Sequence, residues 1–269
     1  MNNFLEEDFN QLDILFEKVK KQSLEYIQNS DQRSTTTHVD THPENASYTI
    51  EEGIGTLEAL QLFNTRFEPL IVSSIGPRYW GFVTGGTTPA SVVGDWLTSV
   101  YDQNPQTIKG DGDISAVIEI ETIQLLLDLF ELPKDFFGGF VTGATMSNFT
   151  SLAVARQWLG KQGGKDYAKE GISGANYVLS AVPHSSSVKS LALLGLGSNT
   201  VKTVKTLPGN REAIDIPDLE EQIKKLEGKP FILISSGGTV NTVDFDDFSA
   251  ILELKKKYNF WWHVDAAFG

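Results

Sequence analysis

Apolar and polar residues follow two different rhythms along this chain. Over residues 4–28, Phe4, Leu12, Leu15, Phe16, Val19, Leu24 and Ile27 recur among alternating acids and bases, which predicts one or two amphipathic helices that pack against a body or a partner subunit. Residues 29–41, NSDQRSTTTHVDT, are polar and without apolar period, so they read as a linker in which His38, with His42 beside it, is simply solvated. A helical pattern returns from residue 51 to about 70. SSIGPRYWGFVTGGTTPAS then interrupts it with Gly, Pro and large aromatics and is expected to be a loop. Tyr79, Trp80 and Phe82 either pin this loop to the core or line a pocket. Ile123, Leu126, Leu127 and Phe130 stand at i, i+3, i+4 and i+7, one buried helical face ending before Pro133.

After Gly138 short apolar runs alternate with helical patterns. GGFVTG leads into a helix from about Ser147 to Leu159 that Gly160 stops, and YVLSA leads into HSSSVKSLALLG. TVKTV precedes a helix carrying Leu219, Ile223 and Leu226, FILISS precedes one around Phe248, Ile251 and Leu252, and FWWHVD is the last strand. Strand and helix alternating in this way predict an α/β fold, a mostly parallel sheet with helices on both faces and right-handed crossovers. Ligands in such sheets lie beyond the C-terminal ends of the strands, which directs attention to residues 143–147, His184, residues 237–239 and Asp265. Gly269 comes directly after a strand, where a finished sheet of this kind continues into a covering helix, so the chain reads as cut short.

Composition narrows the functional classes. With 269 residues, 40% hydrophobic and 21% charged, the chain is long and apolar enough to fold and to bury roughly 70–75% of its unfolded surface. The 22 Lys and Arg against 35 Asp and Glu leave −13, which repels a phosphate backbone and argues against a nucleic-acid partner. No cysteine is present, which excludes disulfides, thiolate metal sites and a cysteine nucleophile. The N-terminus carries acids where a signal peptide carries bases, and no apolar run is long enough to span a bilayer, so no membrane role and a cytoplasmic location are expected. NAS at Asn45 and NFT at Asn148 match the glycosylation triplet and are read as chance matches.

Three segments carry candidate chemistry. TGATMSN, from Thr142 to Asn148, puts small and hydroxyl residues at a strand-to-helix turn, where free amides and the helix dipole can hold a phosphate, with Thr145 and Ser147 adding hydroxyls. It has neither the Gly-Lys-Ser/Thr of a Walker loop nor the three-glycine dinucleotide spacing, and by itself it also reads as an ordinary helix start. His184 follows a strand and opens a helix, a position that favours a neutral ring able to stack on a planar cofactor, or merely to neighbour a helix cap. Asp265 ends a very apolar strand, where a buried carboxylate needs a cationic partner, and no Lys or Arg is near it in sequence. His263 shares its face, but no third or fourth metal ligand is supplied, and DGDIS at Asp111 lacks the Gly and Glu of a calcium loop, so no metal site is expected.

A phosphate cradle, a flat ring, a hydroxyl-bearing strand end and a buried acid on one sheet edge are the parts of a pyridoxal phosphate site. The sequence resembles the group II pyridoxal-phosphate-dependent decarboxylases, the family that includes aromatic amino acid decarboxylase. The likeness runs from about residue 44 to 269. It rests on GPRYWGFVTGGTTPA, EIET, GGFVTGATMSNFTSLAVAR, PHSSSVKSLALLG, GGTVNTVDFDD and HVDAAFG. The resemblance implies a fold type I large domain in residues 71–269, preceded by a helical arm and linker in residues 1–70. It implies that Ala144 and Thr145, with Ser147, hold the phosphate, that His184 stacks on the pyridine ring, and that Asp265 pairs with the ring nitrogen. Ala267 matches the small residue packed on the other ring face, and Thr239 lies in the strand-end motif flanking the cofactor.

Family members form a Schiff base through a lysine some tens of residues beyond the HVDAA strand, and no lysine of this chain matches it. The expectation is therefore an N-terminal portion of an amino acid decarboxylase that lacks part of the fold and is inactive alone. The complete protein is expected to act as a homodimer on an amino acid as its small-molecule substrate. Aromatic substrates are favoured by the aromatic loop of Tyr79, Trp80 and Phe82, and an acidic side chain remains possible through Arg78. The rival readings are a truncated, non-catalytic scaffold or interaction protein, and an unrelated phosphate-ligand α/β binding protein.

Overall fold

The computed structural model describes residues 3–38, 53–104 and 114–269. His42, Asn45 and residues 111–113 of the DGDIS segment lie outside the described residues. The chain divides into two compact units, Met1–Gln103 and Asn104–Gly269.

The first unit is helical. Helices α1 (Asn3–Asn10), α2 (Leu12–Gln28), α3 (Gly55–Arg66) and α4 (Pro89–Tyr101) are joined by a 3-10 turn at Glu68–Leu70 and by loops. The arm is tied down by polar contacts. Asp8 accepts from the Thr56 amide and hydroxyl, Gln22 and Asn64 exchange side-chain hydrogen bonds, and Arg33 pairs with Glu68 at 2.8 Å. Of the apolar positions that predict the arm helices, Leu15 is buried while Phe4, Leu12, Phe16, Val19, Leu24 and Ile27 are exposed. The expected loop ends earlier than its composition suggests, because α4 begins at Pro89. Thr88 and Ser91 form a reciprocal capping box there, and proline at the first helical position needs no amide partner.

The second unit opens with α5 (Ser115–Leu129). Leu127 is buried, Ile123 and Leu126 are half-buried and Phe130 is exposed, so the expected buried face is only partly covered within this unit. Helices α6 (Ala144–Gln162) and α7 (Tyr167–Glu170) follow, then β1 (Val178–Ser180), α8 (Ser185–Leu193), β2 (Val201–Thr203), α9 (Ile216–Lys224), β3 (Phe231–Ser236), α10 (Phe248–Lys257) and β4 (Phe260–Asp265). The apolar run GGFVTG forms no strand. It is irregular and bends at Thr142 and Gly143, and α6 starts at Ala144, three residues before the expected Ser147.

The four strands form one parallel sheet in the order β2-β1-β3-β4. Alternation along the strands sorts their side chains into two cores. Leu179, Phe231, Leu233 and Phe260 pack with Leu219 and Ile223 of α9 and Ile251 and Leu254 of α10. Val178, Ile232 and Ile234 pack on the opposite face with Leu152, Ala155 and Leu159 of α6 and Leu191 of α8. Each buried Val, Leu, Ile or Phe side chain among these contributes roughly 1.5–3 kcal/mol. The sheet is thus parallel and covered by helices on both faces, as its alternation predicts. From β1 the chain moves to β2 on one side and from β2 it returns to β3 on the other, so β1 and β3 flank a topological switch point. Such a point opens a crevice beyond the strand ends.

Candidate functional site

The residues after β1, β3 and β4 meet at that edge. Gly237 donates its amide to the Asp265 carbonyl at 2.9 Å, which carries the β3–β4 pairing past the strand ends. Gly238 has φ +95°, and a Cβ there would sit 3.2 Å from the Phe268 carbonyl carbon and 3.3 Å from the Gly269 nitrogen. Only glycine lets the two backbones approach so closely with that turn. Beside it Thr239 is buried, its hydroxyl accepting from the Asp244 amide at 3.0 Å and lying 3.0 Å from that of Thr242. The loop continues to Asp246, whose carboxylate accepts the amides of Ile214 and Ser236; burial pushes its pKa up in spite of them.

Asp265 is half-buried. The strand's alternation turns it and His263 to the α6 and α8 face. There Asp265 Oδ2 accepts from Asn148 Nδ2 at 3.0 Å and from the Ser187 hydroxyl at 3.2 Å, while Oδ1 accepts from the Ala267 amide at 3.3 Å. The cationic partner expected for this carboxylate is absent among the described residues. Neutral donors hold it instead, and its charge is left uncancelled. His263 is buried. Its Nε2 lies 2.8 Å from Asn148 Oδ1, and desolvation lowers its pKa to about 4, with the negative charge of Asp265 pulling the other way. That nitrogen is therefore engaged, and no group of three or more His, Asp or Glu among the described residues could hold a metal ion.

His184 caps α8. The Ser186 amide donates to its Nδ1 at 3.2 Å, and the Ser186 hydroxyl stands 2.7 Å from the same atom. Its ring is exposed and meets Phe268 edge to face. The same Ser186 hydroxyl lies 3.0 Å from Asn148 Nδ2, so His184 and Asp265 are joined through two side chains. Asn148 itself is 4% exposed, which removes it as a glycosylation acceptor.

The start of α6 completes the edge. No side chain caps it, and Met146 and Ser147 are the first amides to bond back, both to the Gly143 carbonyl at 3.0 Å. The amides of Ala144 and Thr145 thus point out of an uncapped helix, with the hydroxyls of Thr145 and Ser147 exposed beside them. The Ser190 hydroxyl of α8 lies 3.4 Å from the Thr145 carbonyl, fixing this turn against the helix that His184 caps. Ala267 is exposed at the same edge.

Arg78, Tyr79, Trp80 and Phe82 belong to the other unit. Arg78 Nη2 donates to the Arg33 carbonyl at 2.6 Å, and Tyr79 is half-buried. Trp80 and Phe82 are 91% and 90% exposed, so they do not pin the loop to the core of their own unit. The sequence reading missed Asn148, Ser187 and the structural use of His263. A buried asparagine inside a helix that otherwise carries Leu152, Ala155 and Leu159 inward was the one signal available.

An anion-ready helix start, an imidazole and an acceptor-only carboxylate along one sheet edge fit a ligand with a phosphate, an aromatic ring and a protonated ring nitrogen. The sequence matches the pyridoxal-dependent decarboxylase conserved domain over residues 58–269, and the chain belongs to that family. Pyridoxal phosphate is the family's cofactor. The chain is 30% identical over 223 residues to aromatic-L-amino-acid decarboxylase of Bacillus atrophaeus, covering 81% of this chain and 44% of that protein. It is 29% identical over 172 residues to L-2,4-diaminobutyrate decarboxylase of Rhizobium meliloti (strain 1021), covering 63% and 31%. Among solved structures it is similar in fold to Oryza sativa TDC with PLP and tryptamine, at TM-score 0.80 and 16% identity over 95% of this chain and 57% of that one. The glutamate decarboxylase domain of the Vibrio parahaemolyticus diaminobutyrate enzyme gives TM-score 0.79 and 22% identity over 94% and 58%. The chain thus spans less than half the length of these curated relatives. No helix among the described residues is long and apolar enough to cross a membrane.

Proposed function

We propose that this chain is the cofactor-gripping part of a protein that decarboxylates an L-amino acid, with aromatic substrates preferred. The observation that carries the proposal is Asp265, a strand-end carboxylate held by Asn148 and Ser187 with its charge unmatched. Bound in this crevice, pyridoxal phosphate supplies an electron sink for the bonding pair released as a carboxylate leaves as carbon dioxide.

The residues divide the work. Asp265 would accept a charge-assisted hydrogen bond from the ring nitrogen and so keep the proton on that atom. The Ala144 and Thr145 amides, with the hydroxyls of Thr145 and Ser147, would hold the phosphate at the positive end of the α6 dipole. His184 would cover one face of the ring and Ala267 the other, where a larger side chain would displace it. Thr239, fixed by the Asp244 amide, flanks the cofactor.

Aromatic preference is supported by the relative from Bacillus atrophaeus and by the exposed rings of Trp80 and Phe82. Arg78, the group that would serve an acidic substrate, is already engaged by the Arg33 carbonyl. We place the division of labour at a helical arm in residues 1–70 and a large domain from residue 71. The exposed apolar positions of α1 and α2 support packing across a homodimer. Carbon dioxide release from a panel of L-amino acids by the full-length protein tests the reading. Aromatic substrates are expected to lead, and exclusive use of acidic ones overturns the preference.

A further inference from the structure

We propose that Asn148 is a positioning residue through which the buried His263 sets the Asp265 carboxylate and the His184 ring as one unit. This rests on the reading of Asp265 and His184 given above and adds the part that holds them.

Hydrogen-bond chemistry fixes the direction of every link. A carboxylate only accepts, so the Asn148 atom 3.0 Å from Asp265 Oδ2 is its nitrogen, and its oxygen faces His263. His263 must then donate from Nε2. Its ring is neutral near pH 7, because burial has lowered its pKa to about 4, so its single proton is committed to that atom. The second N–H of Asn148 points to the Ser186 hydroxyl at 3.0 Å. Having accepted there, Ser186 donates to His184 Nδ1 at 2.7 Å, where the Ser186 amide also donates. His184 Nδ1 is thus an acceptor twice over, and its proton lies on Nε2, the nitrogen away from Ser186.

One donor deep in the sheet therefore sets the orientation of the acid, and through Asn148 and Ser186 it reinforces the His184 tautomer that the Ser186 amide already requires. If His263 no longer donates, the buried Asn148 oxygen loses its partner, and the amide that holds Asp265 is anchored from one side only. Asn148 comes from α6, His263 from β4 and Ser186 from α8, so the amide also locks the three elements that form the site.

Three variants of the full-length protein test this: Asn148→Asp, His263→Leu and His263→Gln. Each is titrated with pyridoxal phosphate, read by protein fluorescence, and the visible absorption of the bound cofactor is followed against pH. Asn148→Asp sets a second carboxylate against Asp265 with little change of shape. It is expected to weaken cofactor binding about tenfold or more and to move the pH profile of the absorption. His263→Leu removes the donor and is expected to follow it, while His263→Gln can still donate and should stay within about threefold of the natural protein. Should Asn148→Asp fail to fold, the two His263 variants decide, since a packing role alone would not separate Leu from Gln by donor chemistry. Equal affinities and pH profiles for Leu and Gln, or a folded Asn148→Asp variant indistinguishable from the natural protein, overturn the inference. If the natural protein itself takes up no pyridoxal phosphate, the functional reading fails and this inference with it. A natural protein that loads while every variant loads alike defeats the inference alone.

Discussion

The rings of His184 and Phe268 meet at 90° with their centroids 6.4 Å apart. One opens α8 after β1 and the other follows β4, so the contact bridges the two strands on either side of β3. Edge-to-face pairs of this kind are worth roughly 0.5–1.5 kcal/mol and fix a ring's plane. Phe268→Ala is expected to free the imidazole and weaken pyridoxal phosphate binding by about two- to tenfold, measured by titrating the full-length protein. Unchanged affinity would remove Phe268 as a support of the ring.

Asp265 is the most exacting residue to change. Asp265→Ala in the full-length protein is expected to lower turnover by on the order of 10²–10³-fold, the effect of deleting an electrostatic partner at a reacting centre. Steady-state carbon dioxide release measures it, and near-normal turnover would take Asp265 out of its role.

His263 gives a pH dependence with a definite sign. Its folded-state pKa of about 4 lies below the ordinary 6.5, so the unfolded chain takes up this proton first as pH falls. The stability tied to its neutral form is whole above about pH 6.5 and is lost between there and about pH 4, in full roughly 3 kcal/mol. Urea unfolding of the natural protein and of His263→Gln at pH ~7 and pH ~4.5 checks it. The natural protein is expected to lose more stability on acidification than the variant, and equal losses would show that His263 is not the source.

Gly238 is constrained twice, by φ +95° and by the Phe268 and Gly269 backbone 3.2–3.3 Å from where a Cβ would stand. Gly238→Ala is expected to cost about 1–3 kcal/mol and to displace the 266–269 turn, weakening cofactor binding together with stability. Thermal unfolding of the variant at natural-protein stability would contradict this.

Much of the sheet was legible because the α/β rhythm is written locally. FILISS and FWWHVD are β3 and β4 over the same residues, and the helices after β1, β2 and β3 start close to where their patterns begin. GGFVTG carried a strand's composition but found no neighbouring strand to pair with, and pairing is a long-range event that composition does not report. α4 was hidden by the Gly- and Pro-rich stretch before it, although Thr88, Pro89 and Ser91 together write a helix start. The arm's periodicity was real, yet periodicity names a face without naming what covers it, and Leu15 alone among those positions is buried. His184 and Asp265 stood out because each lies at a strand end. Asn148 did not, since its bond to Asp265 joins residues 117 apart and leaves no local trace.

A crystal structure of the full-length protein loaded with pyridoxal phosphate tests the central claim most directly. Expected is a cofactor whose phosphate rests on the Ala144 and Thr145 amides, whose ring lies between His184 and Ala267, and whose nitrogen faces Asp265. A cofactor seated elsewhere, or a ring nitrogen turned away from Asp265, would contradict it.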